Sequence, residues 1–189
     1  MFRSQRSANP PRSPGLGPLG LLTVRTRPGH RTKGLLIAGP LTIPVSLGRG
    51  GIRADKREGD GGTPRGLFQL RQLWWRADRA PRPRTLLPVR PIRQDDAWSE
   101  DPADRLYNRP FRRTPGQPGD RLWRDDHLYD FIIEIDHNTR PRVSKRGSAV
   151  FIHLAREGFS PTAGCVGLRR NALTRLLERV GPGTWIHIR

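Results

Sequence analysis

The apolar residues of this chain come in short runs, several of them separated by glycine and proline turn signals. Runs of that length complete a strand but not a helix, so the spacing predicts a mainly β chain. Residues 21–26, 34–38 and 41–47 are separated by Arg-Pro-Gly-His and Ala-Gly-Pro, both turn signals, and predict an antiparallel meander. Pro44 inside the third run points to an edge or a bulge, because proline donates nothing to a ladder. Residues 67–75 predict a further strand with Phe68, Leu70 and Gln72 on one face. Residues 128–135 ("LYDFIIEI") and 148–154 ("SAVFIHL") predict two more. Alternation in the latter sets Ala149, Phe151 and His153 on one face and Val150, Ile152 and Leu154 on the other. One segment has helical spacing: Ala172, Leu173, Leu176, Leu177 and Val180, with Asn171 as N-cap and Gly181-Pro182-Gly183 as stop. Residues 184–188 close the chain as a strand.

Hydrophobic content is 34%, below the usual globular share, and the deficit is local. Residues 1–20 are polar, Pro-rich and aperiodic, which predicts a disordered basic tail before a single domain over 21–189. Residues 48–66 form a loop by composition. Residues 76–120 are rich in Arg and Pro yet hold Trp98, Tyr107 and Phe111, so they predict a long irregular segment packed over the domain as a cover.

The net charge of +18 has two readings. Arginine codon bias explains it, since the lysines are only Lys33, Lys56 and Lys145; so does an anionic partner. No RNA-binding signature or recognition-helix pattern accompanies the charge, so nucleic acid is not the expected partner. No run of apolar residues is long enough to span a membrane. The apolar run 16–24 is broken by Gly17, Pro18 and Gly20 and makes no recognisable signal peptide. Cysteine and histidine spacing offers no metal site, and no cofactor is expected.

The chain has one cysteine. A lone cysteine is usually a small buried hydrophobe, so its neighbours must argue for more. Cys165 follows Gly164, where the backbone can approach a ligand closely and neighbouring amides can bind an oxyanion. His153 lies 12 residues earlier on a strand, and a return through Gly158 and Pro161 is able to bring it beside the thiol as a base. Base before nucleophile is not the papain order.

The string "FIHLAREGFSPTAGCVGL" resembles the catalytic motif of the YkuD-type L,D-transpeptidases: a strand-borne His, a short loop, then Ser/Thr-x-Gly-Cys-hydrophobe, matched by Thr162, Gly164, Cys165 and Val166. "EGDGGTPRGLF" resembles the family's Thr-Pro-x-Gly-x-Phe segment. "DPADRLYNRPF" and "RLWRDDHLYDFIIEIDHN" are similar to short single-domain members. The chain departs from the pattern twice. Ala163 stands where many members carry His, and Gly167 where many carry Arg or Asn. The first leaves His153 as the sole base and the second removes a substrate contact.

The resemblance implies a β-sandwich or partly open barrel with one C-terminal helix, in an enzyme of peptidoglycan biosynthesis and cell-wall organisation in the cell envelope. It implies attack by the Cys165 thiolate on a stem-peptide carbonyl, a thioester, and cross-linking by a neighbouring amine. The base is oriented by a backbone carbonyl, and carbapenem-type compounds act as inhibitors. Hydrolysis of the same bond, or a non-enzymatic basic binding protein on the same scaffold, are the rival expectations. Tyr107, Asn108, Arg109, Arg146, Ser148 and Thr162 are candidate substrate contacts, the arginines because guanidinium pairs bidentately with carboxylates. His127, His137 and His187 are expected at the surface, and Trp74, Trp75 and Trp123 as anchors for the cover.

Overall fold

A computed structural model describes residues 17–189. The chain forms β1 (Leu21–Arg27), β2 (His30–Ala38) and β3 (Leu41–Ser46), then two short strands in the 48–66 loop, β4 (Ile52–Arg53) and β5 (Thr63–Pro64). The long β6 (Gly66–Trp75) follows. The cover carries β7 (Val89–Pro91), β8 (Asp96–Trp98), β9 (Pro110–Arg112) and β10 (Asp120–Arg121). The string from Phe151 to Leu168 singled out in the sequence spans β12 (Phe151–Leu154) and β13 (Val166–Leu168), after β11 (Phe131–Ile135). Helix α1 (Arg170–Leu177) and β14 (Trp185–Ile188) complete the fold.

The main sheet runs β11-β12-β13-β3-β2-β1-β14-β6-β7, and a further β11–β6 pairing closes all but β7 into a ring. The protein is thus mainly β with a partly closed barrel and one helix. The meander β1–β2–β3 is present with the predicted turns. Pro44 pairs with Leu35 of β2, while on its other side β3 meets β13 only at Ser46. The proline therefore sits where no ladder bond is demanded of it.

Two apolar clusters lie on opposite faces of β12. Val150, Ile152 and Leu154 join a cluster with Leu22, Leu36 and Val166 and the buried face of α1, Leu173, Leu176 and Leu177. Ala149 and Phe151 join Trp74, Trp98, Tyr129 and Cys165 beneath the cover. The alternation read in residues 148–154 is therefore the one observed. Trp98 meets Trp74 and Phe151 edge-on, at 6.4 and 4.9 Å, an arrangement that suits the ring quadrupoles.

Several local expectations give way to backbone geometry. The strand predicted from residue 148 begins at Phe151, because Ala149 takes a φ of 50°. The strand predicted from 128 begins at Phe131, after a turn in which Asp130 N–H donates to the His127 carbonyl. Helix α1 is capped by Arg169 in extended conformation, with Asn171 already inside it. In β6 the pairs Ile133↔Leu73 and Ile135↔Leu70 set an extra residue on the β6 side. That bulge turns Gln72 away from Leu70 and toward Glu134, which also accepts Trp74 Nε1–H. The cover is not irregular throughout: β10-β8-β9 form a small antiparallel sheet of its own.

Of the predicted tail, residues 1–16 lie outside the described residues. Leu19 and Gly20 are part of the folded domain. Leu19 N–H donates to the Arg179 carbonyl at 2.7 Å, and the Gly20 carbonyl accepts from Trp185 N–H at 2.9 Å. Among the described residues no helix is long and apolar enough to cross a membrane.

Candidate active site

Strands β12 and β13 run parallel, with Ile152 opposite Val166 and His153 opposite Gly167. Extending that register one residue back sets Phe151 beside Cys165, and Phe151 N–H donates to Cys165 Sγ at 3.3 Å. The thiol in turn donates to the Ala149 carbonyl, also at 3.3 Å. Because strand side chains alternate, His153 and Cys165 project from the same face, two register positions apart. The turn before Cys165 is fixed by Thr162, whose Oγ1 donates to the Cys165 carbonyl at 2.7 Å and accepts Gly164 N–H at 3.1 Å. Thr162 is also tied by its own backbone to Leu47 and Arg49. Gly164 has φ +149°, and a Cβ there would lie 2.9 Å from the Gly62 carbonyl oxygen. Only glycine lets the 162–165 turn close against the 48–66 loop.

Both candidate residues border a cavity of about 350 Å³, with Tyr129, Ser148 and Ala149 on one wall and residues 160–164 on another. His153 Nδ1 lies 2.8 Å from the Leu154 carbonyl. The carbonyl can only accept, so Nδ1 carries the proton and Nε2 is left as the basic nitrogen. Tyr129 packs edge-on to the imidazole at 5.3 Å, and its hydroxyl donates to Asp120 at 2.7 Å. Burial lowers the His153 pKa to about 4, outweighing the upward pull of the Leu154 carbonyl. Burial likewise pushes the Cys165 thiol up to about 12, against the stabilising Phe151 N–H. Burial therefore favours the neutral forms of both groups, thiol and imidazole.

The remaining candidates divide by position. Ser148 borders the cavity, and its hydroxyl donates to Glu58 at 2.8 Å; Glu58 also accepts Tyr107 Oη–H. Tyr107 and Asn108 are buried behind the wall rather than exposed to the cavity. Asn108 Oδ1 accepts from Trp98 Nε1–H and Ala149 N–H, and Nδ2 donates to the carbonyls of His137 and Asn138. It clamps the cover onto the residue whose carbonyl holds the thiol. Arg109 is exposed and borders no part of the cavity, and Arg146 pairs with Asp55 outside it. Asn108→Ala leaves buried polar groups unpaired at about 1–3 kcal/mol apiece. The expected result is a melting temperature lower by several degrees and a reduced kcat with KM little changed. An unaltered melting temperature with a raised KM would return Asn108 to the substrate.

Cavity residues that the sequence did not single out are Arg49, Lys56, Glu58, Glu100, Asp120, Arg124 and Tyr129. Tyr129 sits in a run that looks like continuous strand, so nothing separated it from the core. Partial desolvation, then the Asp120 and Glu58 charges, raise Glu100 to about 7. Gly167 has a local reason: a Cβ there would lie 2.3 Å from Ser46 Oγ, across the single β3–β13 bridge. Ala163 is exposed at the rim of the cavity. His127 is exposed beside Asp130, whereas His137 is half-buried, accepted by the Arg146 carbonyl and lowered to about 4 by burial. Trp74 and Trp75 are buried, and Arg76 stacks on Trp123 at 3.6 Å. Among the described residues no three His, Cys, Asp or Glu side chains gather as metal ligands.

A strand-borne histidine and a Gly-Cys turn thus border one cavity. The YkuD family, described as the L,D-transpeptidase catalytic domain, matches residues 34–188. The chain belongs to that family. No curated protein matches it. Among solved structures it is similar to L,D-transpeptidase 1 of Mycobacterium tuberculosis, at 15% identity and a TM-score of 0.39. That alignment covers 89% of this chain and 61% of the other, so this chain spans under two thirds of that relative's length.

Proposed function

We propose that residues 21–189 form one catalytic domain, a cysteine acyltransferase of the cell envelope that cross-links peptidoglycan stem peptides. The reading rests on one observation: Cys165 Sγ and the His153 imidazole share a cavity wall, with Nδ1–H fixed on the Leu154 carbonyl. As Sγ attacks the donor carbonyl, His153 Nε2 takes the thiol proton and passes it to the leaving amine when the C–N bond breaks. The acyl group is left on Cys165 as a thioester. An acceptor amine then attacks, the C–S bond breaks, and the amine's proton returns through His153 to the sulfur.

The neutral resting pair suits this order, since charge separates only when a carbonyl is present to receive the sulfur. The fixed dipoles of the 162–165 turn stabilise the developing oxyanion. Gly164 N–H is already engaged by Thr162, so other amides of the turn serve that role. Both signs of charge line the cavity, Arg49, Lys56 and Arg124 with Glu58, Glu100 and Asp120. That lining suits a substrate carrying both amines and carboxylates.

Mass spectrometry of purified tetrapeptide muropeptides incubated with the protein tests the proposal. Cross-linked dimers should accumulate with release of the donor's terminal residue. Shortened stems without dimers would assign the same site to hydrolysis. Unchanged muropeptides would remove the enzymatic reading and leave the basic binding protein.

A further inference from the structure

A second concavity, of about 330 Å³, shares the 49–53 segment with the Cys165 cavity: Arg49 borders the first, Gly50 to Arg53 the second. Four arginines border it, Arg31, Arg53, Arg65 and Arg189, and none of its lining side chains is acidic. Each is placed by backbone structure. Arg31 donates to the Gly50 carbonyl through Nε and Nη2, at 3.3 and 3.0 Å. Its stem lies against Gly51, where a Cβ would come within 2.9 Å of Arg31 Cγ. Arg53 and Arg65 are joined by Arg65 N–H to the Arg53 carbonyl at 2.7 Å, and Arg189 N–H donates to the Val24 carbonyl at 3.0 Å.

In and beside the cover, Arg76, Arg79, Arg90, Arg112 and Arg124 are paired with aspartates. Among the described residues, the four basin arginines make no such pair. Arg82 and Arg84 of the cover are likewise in no ion pair, so what marks this basin is the gathering of four such arginines around one concavity. Like charges gathered in one concavity repel, and an anion relieves the repulsion while each guanidinium offers its paired donors. The substrate class proposed above supplies such an anion: a polymer whose stem peptides repeat free carboxylates.

We propose that this basin is a carboxylate-binding exosite that holds a second stem peptide of the sacculus while another occupies the Cys165 cavity. The inference rests on the substrate class proposed above. Its test is binding, with no turnover required. Full-length Cys165→Ala protein is sedimented with purified sacculi across a salt series, with and without Arg53→Gln/Arg65→Gln.

The basin pair should weaken binding by about tenfold or more at low salt, the worth of two charge-assisted contacts. Arg82→Gln/Arg84→Gln, an equal charge change on the cover, should not. Sacculi whose carboxylates have been converted to amides should bind poorly. In chains that retain Cys165, the basin pair should leave turnover of a single free tetrapeptide unchanged. Equal losses in the two arginine pairs would overturn the exosite in favour of bulk charge, and undiminished binding to amidated sacculi would overturn the carboxylate. Tighter binding to mixed-sequence DNA or phosphatidylglycerol vesicles at the same salt would overturn it in favour of phosphate. If the Gln pair fails to fold, Arg53→Lys/Arg65→Lys keeps charge and stem and should lose only part of the affinity; no loss would overturn the bidentate contact. Basin-dependent sacculus binding without any turnover would sustain the exosite and sink the enzymatic proposal alone.

Discussion

Cys165→Ala is expected to abolish turnover and to leave a folded protein. The substitution removes the only thiol in the chain, and the hydroxyls that also border the cavity, Ser148, Ser160 and Thr162, are far weaker nucleophiles. The thiol is not idle in the fold. It is 5% exposed, packs in the cluster beneath the cover, and bridges Phe151 N–H to the Ala149 carbonyl. Losing that bridge should lower stability by about 1–2 kcal/mol, a few degrees of melting temperature. Cys165→Ser keeps a hydroxyl for the bridge and should recover the stability without the turnover. Full activity in either variant would end the cysteine mechanism.

His153→Ala should lower the acylation rate by roughly two to four orders of magnitude, the range for a positioned proton transfer. With Ala163 at the rim, no second imidazole stands ready to compensate. The pH dependence separates a base from a packing residue. Because burial lowers His153 to about 4, the rate should stay flat from neutral pH down to about pH 5 and fall as pH drops through about 4. A base at the ordinary histidine value of about 6.5 would lose its rate much earlier. Stability should follow the same direction. The unfolded chain takes up the proton near pH 6.5 while the folded chain resists until about 4. The contribution is therefore whole above 6.5 and is lost progressively as pH falls toward 4. Equal damage from His127→Ala or His137→Ala would move the base elsewhere.

Legibility in the sequence followed how local each cause was. Turn dipeptides and alternation are properties of adjacent residues, so the meander and the two faces of residues 148–154 could be anticipated, as could a place for His153 and Cys165 on one cavity. The bulge in β6 depends on how β11 lies against it, and no pattern within residues 66–75 announces it. Strands of two or three residues flanked by proline, as in the cover, carry no period to detect. Asn108 illustrates the same limit in the site. A polar residue in an Arg-rich loop suggests contact with a ligand, but three hydrogen bonds to residues 137, 138 and 149 and one to Trp98 make it a buried clamp. The burial that favours the neutral forms of both groups comes from the folded surroundings, which no spacing between residues 153 and 165 encodes. The arginines shared this fate: their number was visible, but not which were paired with aspartates and which border a basin.

The central claim is that Cys165 carries the acyl group, and intact-mass analysis with peptide mapping tests it most directly. The full chain is mixed with a donor stem tetrapeptide, or with a carbapenem whose strained carbonyl mimics the donor, and quenched in acid. A mass gain equal to the acyl group on the peptide containing Cys165, absent in Cys165→Ala and slow to form in His153→Ala, is the predicted result. Cross-linked product with no adduct on that peptide, or an adduct forming as fast in His153→Ala, would contradict it.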